Sequence, residues 1–355
     1  MMPGVVGLIV NPMAGRDIRR VVAAASLQSS PEKLLAVRRI LAGIAAVPGI
    51  RVVMPDDREG FSDYVASEVR SPVRISLAKG PDGDAGALTM GWVGALQSAG
   101  AGVLVVVGGD GTQRNAAQGL PAVPVLPVAG GTNNVACWTG DQTVAGYAAA
   151  LYLARSLDPA SVGQRAKIIH VRVGGHEDMA LIDVALVRQP FTGALAVWRA
   201  DDVEALILGI ADPARPGLSN VGGFVSPLRP EDDFGLFMAL AADDDEVPGV
   251  PTVLVPGLMA TMRVRGFSQL AFGQTVSVSR PAGGTLALDG ERTVVLHRGE
   301  TAEVWVQRDG PYVLDPVRVL TASPAYGIPH IALHVPPAAS GADGVGKPGH
   351  GIFPA

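Results

Sequence analysis

"VVVGGDGTQRNAAQGL" (residues 105–120) decides how this chain folds. A run of valines stops at Gly108, Gly109, Asp110, Gly111 and Thr112, and a polar, alanine-containing segment follows at once. The valine run has the character of a buried strand, and the segment after it that of a helix. In an open sheet of parallel strands, ligands bind at the carboxyl ends of the strands. Glycines lack Cβ atoms, so backbone N–H groups there can approach phosphate oxygens closely, and the following helix directs its positive end at the same anion. Asp110 is the odd member. A carboxylate beside a phosphate is repelled unless it handles a proton or a Mg2+ ion, the two tasks that phosphoryl transfer needs. A plain strand-to-helix turn with a solvent-facing aspartate satisfies the same stretch.

A second glycine loop lies one strand later. "VLPVAGGTNN" (125–134) repeats the arrangement: an apolar run, Gly130 and Gly131, then Thr132, Asn133 and Asn134. Two such loops at neighbouring strand ends can face one cleft. Asparagines there offer donors and acceptors to ribose hydroxyls or phosphates, although Thr and Asn are also common helix caps. At the N-terminus, "NPMAGRDIRR" (11–20) follows the first strand directly. Asn11 makes a turn there, and Arg16, Arg19 and Arg20 bring forked guanidinium groups suited to phosphate, or simply a solvated basic helix start.

Outward from these loops, strands and helices alternate. "VVGLIV" (5–10), "IRVVM" (50–54), "VRISL" (73–77), "VLVVV" (103–107) and "VPVLPV" (123–128) read as strands, the last as an edge or strand end because of its prolines. A helix starts at Pro31 with Leu34, Val37, Leu41 and Ile44 on one face. Another, capped by Asp84, carries Leu88, Trp92, Ala95, Leu96 and Ala99 and stops at Gly100. A third spans about 141–156, with Val144, Tyr147, Ala148 and Leu151 inward. Such alternation predicts a parallel sheet with helices on both faces. Near residue 165 strands take over: "KIIHVRV" (167–173), "TVSVSR", "TLALDG", "RTVVLHRG" and "AEVWVQRDG" predict a mostly antiparallel β domain. One helical pattern, with Val203, Leu206, Ile207 and Ile210 in register, interrupts it. The acidic run at 241–249 reads as a solvated loop, and the Gly/Pro-rich tail from about Pro336 as loosely ordered.

Composition limits the function classes. The 355-residue chain is 17% charged with a formal net charge of −5, a poor match to a surface that tracks nucleic acid. One cysteine, Cys137, excludes an internal disulfide framework and a cysteine-based zinc site. No signal peptide and no membrane-length apolar run are evident, so a cytoplasmic protein is expected. His330 and His334 have metal-like spacing without an acidic partner nearby, and no metal site is expected of them. Neither GxxxxGK[ST] nor GxSxG occurs.

"GGDGT", the later "GGTNN" and "NPMAGRDIRR", in that order, resemble the NAD kinase and diacylglycerol kinase superfamily, and in particular its ATP-NAD kinase-like branch that includes acetoin-catabolism protein X. "LDGERTVVLHRGETAEVWV" (288–306) is similar to that superfamily's late Asp-Gly-Glu hairpin. The resemblance implies an α/β fold: an N-terminal Rossmann-like parallel-sheet domain (1–160), an all-β sandwich domain (161–322) and a C-terminal extension (323–355). It implies an active site between the two, ATP and Mg2+ as cofactors, and a homodimer. By the motif matches, Asp110 is implied to be the catalytic carboxylate. Asn11, Arg16, Gly108, Gly109, Gly111, Thr112, Gly131, Thr132, Asn133 and Asn134 are implied to line the nucleotide site, and Asp183, Asp289 and Glu291 to reach the substrate.

One departure bears on the acceptor. Where NAD kinases carry an Asn-Glu or Asn-Asp pair, the matching stretch here is "ALIDVALV" (180–187): Asp183 keeps the acid, and Ile182 replaces the amide. An isoleucine cannot supply those hydrogen bonds. The expectation is therefore an ATP-dependent kinase acting on a small hydroxylated or keto metabolite. NAD phosphorylation, a lipid kinase and a non-catalytic nucleotide-binding accessory protein are the alternatives.

Overall fold

Strands covered on both faces must be apolar throughout, and the first half of the chain is built that way. In a computed structural model, residues 4–11, 30–80, 85–119, 121–188, 199–241, 246–290 and 292–323 are described. Along the first of these run β1 (Val5–Val10), α1 (Ser30–Ala45), β2 (Arg51–Pro55), α2 (Phe61–Glu68), β3 (Ile75–Ala78), α3 (Ala85–Ser98), β4 (Val103–Gly108), α4 (Asp110–Gln118), β5 (Val125–Ala129), α5 (Gln142–Arg155) and a short α6 (Pro159–Val162). The five strands pair in parallel in the order β3-β2-β1-β4-β5. Every residue of β1 and β4 is buried. Leu8 and Val105 face Val37, Ile40, Leu41 and Ile44 of α1 and the alanines of α5. Ile9 and Val106 face Leu88, Trp92 and Leu96 of α3 on the opposite side.

In this first lobe, two details depart from the sequence reading. On α5, Tyr147 is 37% exposed, and the buried face is Ala145, Ala148 and Ala149. The cause is close helix crossing: a Cβ on Gly43 would strike the Thr143 carbonyl, and one on Gly146 the Ile40 carbonyl, so only small residues fit between α1 and α5. β5 is not an edge strand. Pro127 pairs with Val106 inside the sheet. Its carbonyl accepts the Trp138 N–H, so its missing donor falls on the side away from β4 and costs that ladder nothing.

The chain then adds β6 (Gly163–Arg165) to the first sheet and enters a β region. Its elements are β7 (Ile168–Val173), β8 (His176–Ala180), β9 (Asp183–Val187), β10 (Val203–Leu208), α7 (Ser219–Val225), β11 (Phe234–Leu240), β12 (Gly249–Val255), β13 (Leu258–Ala271), β14 (Val276–Ser279), β15 (Gly284–Leu288), β16 (Arg292–Leu296) and β17 (Thr301–Gln307). β18 (Tyr312–Leu314) and α8 (Pro316–Ala322) return to the first lobe, where β18 lies parallel to β5 and antiparallel to β6. The β region is a sandwich of antiparallel sheets, ordered β12-β13-β11-β10-β9-β15-β16 and β14-β17-β7-β8. Ile169, Val171 and Val304 of one sheet pack on Leu186, Ile207 and Leu286 of the other. Residues up to Ser323 form one compact unit.

The pattern at Val203, Leu206 and Ile207 is a strand, not a helix. β10 lies between β9 and β11, with Ala205 and Ile207 in the sandwich core and Val203, Leu206 and Leu208 under α7. A strand buried on both faces has no alternation, and its apolar run satisfies helical spacing by accident. Asp84, residues 242–245 and the tail with His330 and His334 lie outside the described residues.

Candidate active site

The two glycine loops leave β4 and β5 side by side, and their backbones touch. A Cβ on Gly131 would stand 2.5 Å from Gly109 Cα, and one on Gly109 would stand 2.9 Å from the Asn133 carbonyl oxygen. Gly130 N–H donates to the Gly108 carbonyl at 3.0 Å, and Asp110 N–H to the Asn133 carbonyl at 3.1 Å. Gly109 has φ −88°, within reach of any residue, so these glycines are required for the space they leave rather than for backbone freedom. A Cβ on Gly108 would meet Thr112 at 2.5 Å, which ties that glycine to the first turn of α4.

Most of the polar groups in the loops hold the loops themselves. Asn11 Nδ2 donates to Thr112 Oγ1 at 2.9 Å, joining the end of β1 to the start of α4. Asn134 Oδ1 accepts from the N–H groups of Gly130 (3.1 Å) and Gly131 (3.0 Å), and its Nδ2 donates to the Gly131 carbonyl. Those two amides are therefore spent internally. Asp110 is 4% exposed, and its carboxylate accepts the N–H groups of Val135 and Ala136, both at 3.0 Å. Thr132 Oγ1 and Asn133 Oδ1 differ: both are buried and neither has a hydrogen-bond partner. An unpaired buried polar atom costs about 1–3 kcal/mol, so these two atoms retain hydrogen-bonding capacity that the loop itself does not use.

Across the seam, the β lobe supplies two more carboxylates. Asp289 begins the β15–β16 turn in the left-handed region, at φ +48°. Its carboxylate accepts the N–H groups of Leu181 and Ile182, and its own N–H donates to the Asp183 carbonyl. Burial pushes the Asp289 acid up to about 6, and the charge of Arg114 and the backbone donors limit the rise. Asp110, Asn133, Asp183 and Asp289, with Ile182 and Gly217, line one small cavity of about 10 Å³ between the lobes, room for a single water. Ile182 is 1% exposed and joins the apolar cluster that fastens the lobes together. Arg16 and Glu291 lie outside the described residues.

Several residues at the seam carry no signal in the sequence. Arg114, 5% exposed, reaches from α4 to the Leu288 carbonyl at 3.3 Å. Ser219, fully buried, has an unpartnered Oγ beside Gly217, and a Cβ on Gly217 would come 3.6 Å from Asn133 Nδ2. Arg215 donates to Thr139 across the same seam at 3.1 Å. Ser219 and Arg215 belong to segments without a chemical motif, and Arg114 lies in the first glycine-loop stretch but outside its glycine, aspartate and threonine signature. Among the described residues no cluster of three or more metal-ligating side chains occurs.

The chain is 32% identical over 306 residues to acetoin catabolism protein X of Cupriavidus necator, an alignment covering 81% of this chain and 83% of the relative. It belongs to the acetoin catabolism protein X family. The model of that family's C-terminal domain matches residues 167–309, which run from β7 to β17 and include Asp183 and Asp289. Solved structures of related shape include two from Bacillus anthracis str. Sterne, one described as a putative diacylglycerol kinase and one as a diacylglycerol kinase. Their TM-scores are 0.46 and 0.40 at 12% and 11% identity, covering 89% of this chain and 98% of each of those chains. Among the described residues of this family member, no helix is long and apolar enough to cross a membrane.

Proposed function

We propose that the chain is an ATP-dependent phosphotransferase acting on a small hydroxylated or keto metabolite. One observation carries this reading: two glycine loops at neighbouring strand ends meet three buried aspartates, Asp110, Asp183 and Asp289, around one seam between lobes. Magnesium-bound ATP would supply the phosphoryl group. The donor set fits it at Thr132, whose unpartnered hydroxyl can donate to a phosphate oxygen, and at Asn133, whose Oδ1 can accept from a hydroxyl. Arg16, Asn11, Thr112 and the loop glycines Gly108, Gly109 and Gly111 complete the phosphate side of this reading. A cavity of about 10 Å³ admits no nucleotide, so the lobes must part to load and close to exclude water.

Two backbone donors fix the orientation of Asp110, which orients the acceptor hydroxyl and takes its proton. Asp183 and Asp289 frame the acceptor from the β lobe, and Glu291 is assigned to the same role by its sequence motif alone. The Cupriavidus relative is named for acetoin catabolism, and a small hydroxyketone of that kind is the acceptor class proposed here. The buried Ile182 disfavours NAD, because no side-chain amide stands at that position to bond a ribose. The reading includes a cytoplasmic homodimer paired through the β lobe, where Met259 and Phe267 of β13 are 61% and 51% exposed.

The test is a screen of labelled ATP against hydroxyketones, polyols, nucleosides, diacylglycerol and NAD. Label in a hydroxyketone or polyol product supports the reading. NADP or a phospholipid product replaces it with one of the other kinases, and ATP binding with no transfer to any acceptor makes the protein a non-catalytic accessory.

A further inference from the structure

Behind the aspartate seam lies a second and much larger cavity, about 390 Å³, a size that suits a metabolite. Most of its wall is aliphatic or proline: Val125 and Pro127 of β5, Val313 of β18, and Leu181, Ile210 and Pro230 from the β lobe. Both lobes therefore contribute. Two of the polar groups on the wall have unspent hydrogen-bonding capacity. Lys167 is 4% exposed, and its ammonium donates to the carbonyls of Arg229 at 2.8 Å and Phe234 at 3.2 Å. An ammonium has three N–H groups, so one donor remains. Gln113, also 4% exposed, donates through Nε2 to the Val106 carbonyl, while its Oε1 is buried without a partner. Glu231, Asp315 and Arg318 lie on the same wall, and Arg308 as well as Asp232 and Asp233 act electrostatically on Lys167, so charges of both signs surround the cavity and a neutral guest suits it.

A thin partition separates this cavity from the seam. Val135 lines both cavities, Ala136 and Leu181 face the large one, and Ile182 faces the seam. The partition is pinned from the seam side: Asp110 holds the N–H groups of Val135 and Ala136, and Asp289 those of Leu181 and Ile182. Any molecule that fills the large cavity presses on the segments that orient both carboxylates.

We infer that this cavity is a binding site for a small, neutral, mainly apolar carbonyl compound. Its oxygen accepts the remaining Lys167 N–H, and its presence is transmitted to Asp110 and Asp289 through the 135–136 and 181–182 segments. The binding claim is independent of the phosphotransferase reading. Only a consequence for turnover would rest on it.

Calorimetric titration of the full chain with three probes of similar shape tests the inference: cyclohexanone, cyclohexanecarboxylate and cyclohexylamine. Saturable one-site binding of cyclohexanone is expected, with cyclohexylamine silent and the carboxylate at least tenfold weaker. Val313→Trp, which fills the cavity from β18, abolishes binding, and Lys167→Met weakens it about tenfold. Should Lys167→Met fail to fold, Val313→Trp alone decides. The backbone amide resonances of Val135, Ala136, Leu181 and Ile182 shift on saturation. Absence of saturable cyclohexanone binding, binding that survives Val313→Trp, tighter binding of the carboxylate or amine, or unmoved amides at all four positions would overturn the inference.

Discussion

Gly131 stands against Gly109 so closely that a Cβ on the former would lie 2.5 Å from the latter's Cα and 2.6 Å from its nitrogen. The obstacle is backbone at the foot of a buried strand, so it cannot swing aside as a side chain could. Gly131→Ala must separate the loops, and overpacking of this kind costs about 1–3 kcal/mol. Denaturant unfolding is expected to show a loss of that size and, under the proposed function, nucleotide-analogue binding is lost with it. A variant of wild-type stability would mean that the loops do not touch.

Asp110→Asn keeps the shape but replaces one acceptor oxygen with an NH2 group, which faces a backbone N–H of Val135 or Ala136. Stability should fall by about 1–3 kcal/mol, the cost of an unsatisfied buried group. Under the proposed function, transfer to the acceptor drops by about 10²–10⁴-fold while ATP analogues still bind. Steady-state turnover beside analogue titration separates the two effects, and wild-type turnover would remove Asp110 from the chemistry.

Adjacent asparagines in the second loop should behave oppositely. Asn134 makes three hydrogen bonds to its own loop, so Asn134→Ala is expected to destabilise the fold by more than 1 kcal/mol, at about 1 kcal/mol per bond. The Asn133 Oδ1 is buried without a partner, so Asn133→Ala should not lower the unfolding midpoint and, under the proposed function, should weaken ligand binding. Thermal unfolding and analogue titration of the two variants together test the assignment. An equal stability loss in both would contradict it.

The Asp289 acid sits near 6 in the folded chain against an ordinary 3.8, chiefly because it is buried. The folded state therefore holds this proton more tightly than the unfolded chain does. The associated stabilisation is complete below about pH 4 and is lost as pH rises through 6, an effect on the order of 3 kcal/mol. Measured from pH 4 to 7, the stability difference between wild type and Asp289→Asn should shift in the variant's favour as pH rises. A pH-independent difference would show that Asp289 titrates as an ordinary carboxylate.

Cys137 is buried, its Sγ is 3.5 Å from the Gly108 carbonyl, and burial followed by the nearby Asp110 charge raises its thiol well above the usual range. Little thiolate forms at neutral pH. Alkylation by iodoacetamide at pH 7.5 is expected to proceed at the rate of global unfolding, as read by mass spectrometry against denaturant. Rapid modification of the native protein would show the loop region to be open.

The parallel sheet was legible because its central strands β1 and β4 are buried along their whole length, and so apolar, and end at turn signals. β10 was misread because burial on both faces erases the two-residue period, and α7 was missed because Gly222 and Gly223 disguise a short helix in "SNVGGFV". The outward Tyr147 and the internal Pro127 depended on which neighbour approached and from which side, and no local pattern records that.

By itself, the sequence determined the order of strands and helices, the two glycine loops and the acids that accompany them, because periodicity and missing side chains act locally. Only the tertiary structure decided how those groups are used. Asn134 turns inward to satisfy its own loop, and Asp110 and Asp289 each grip a segment remote in sequence. Thr132, Asn133 and Ser219 are left with buried polar atoms unspent. Hydrogen bonds are short-ranged and saturable, so which groups remain for a ligand is fixed only when distant segments meet.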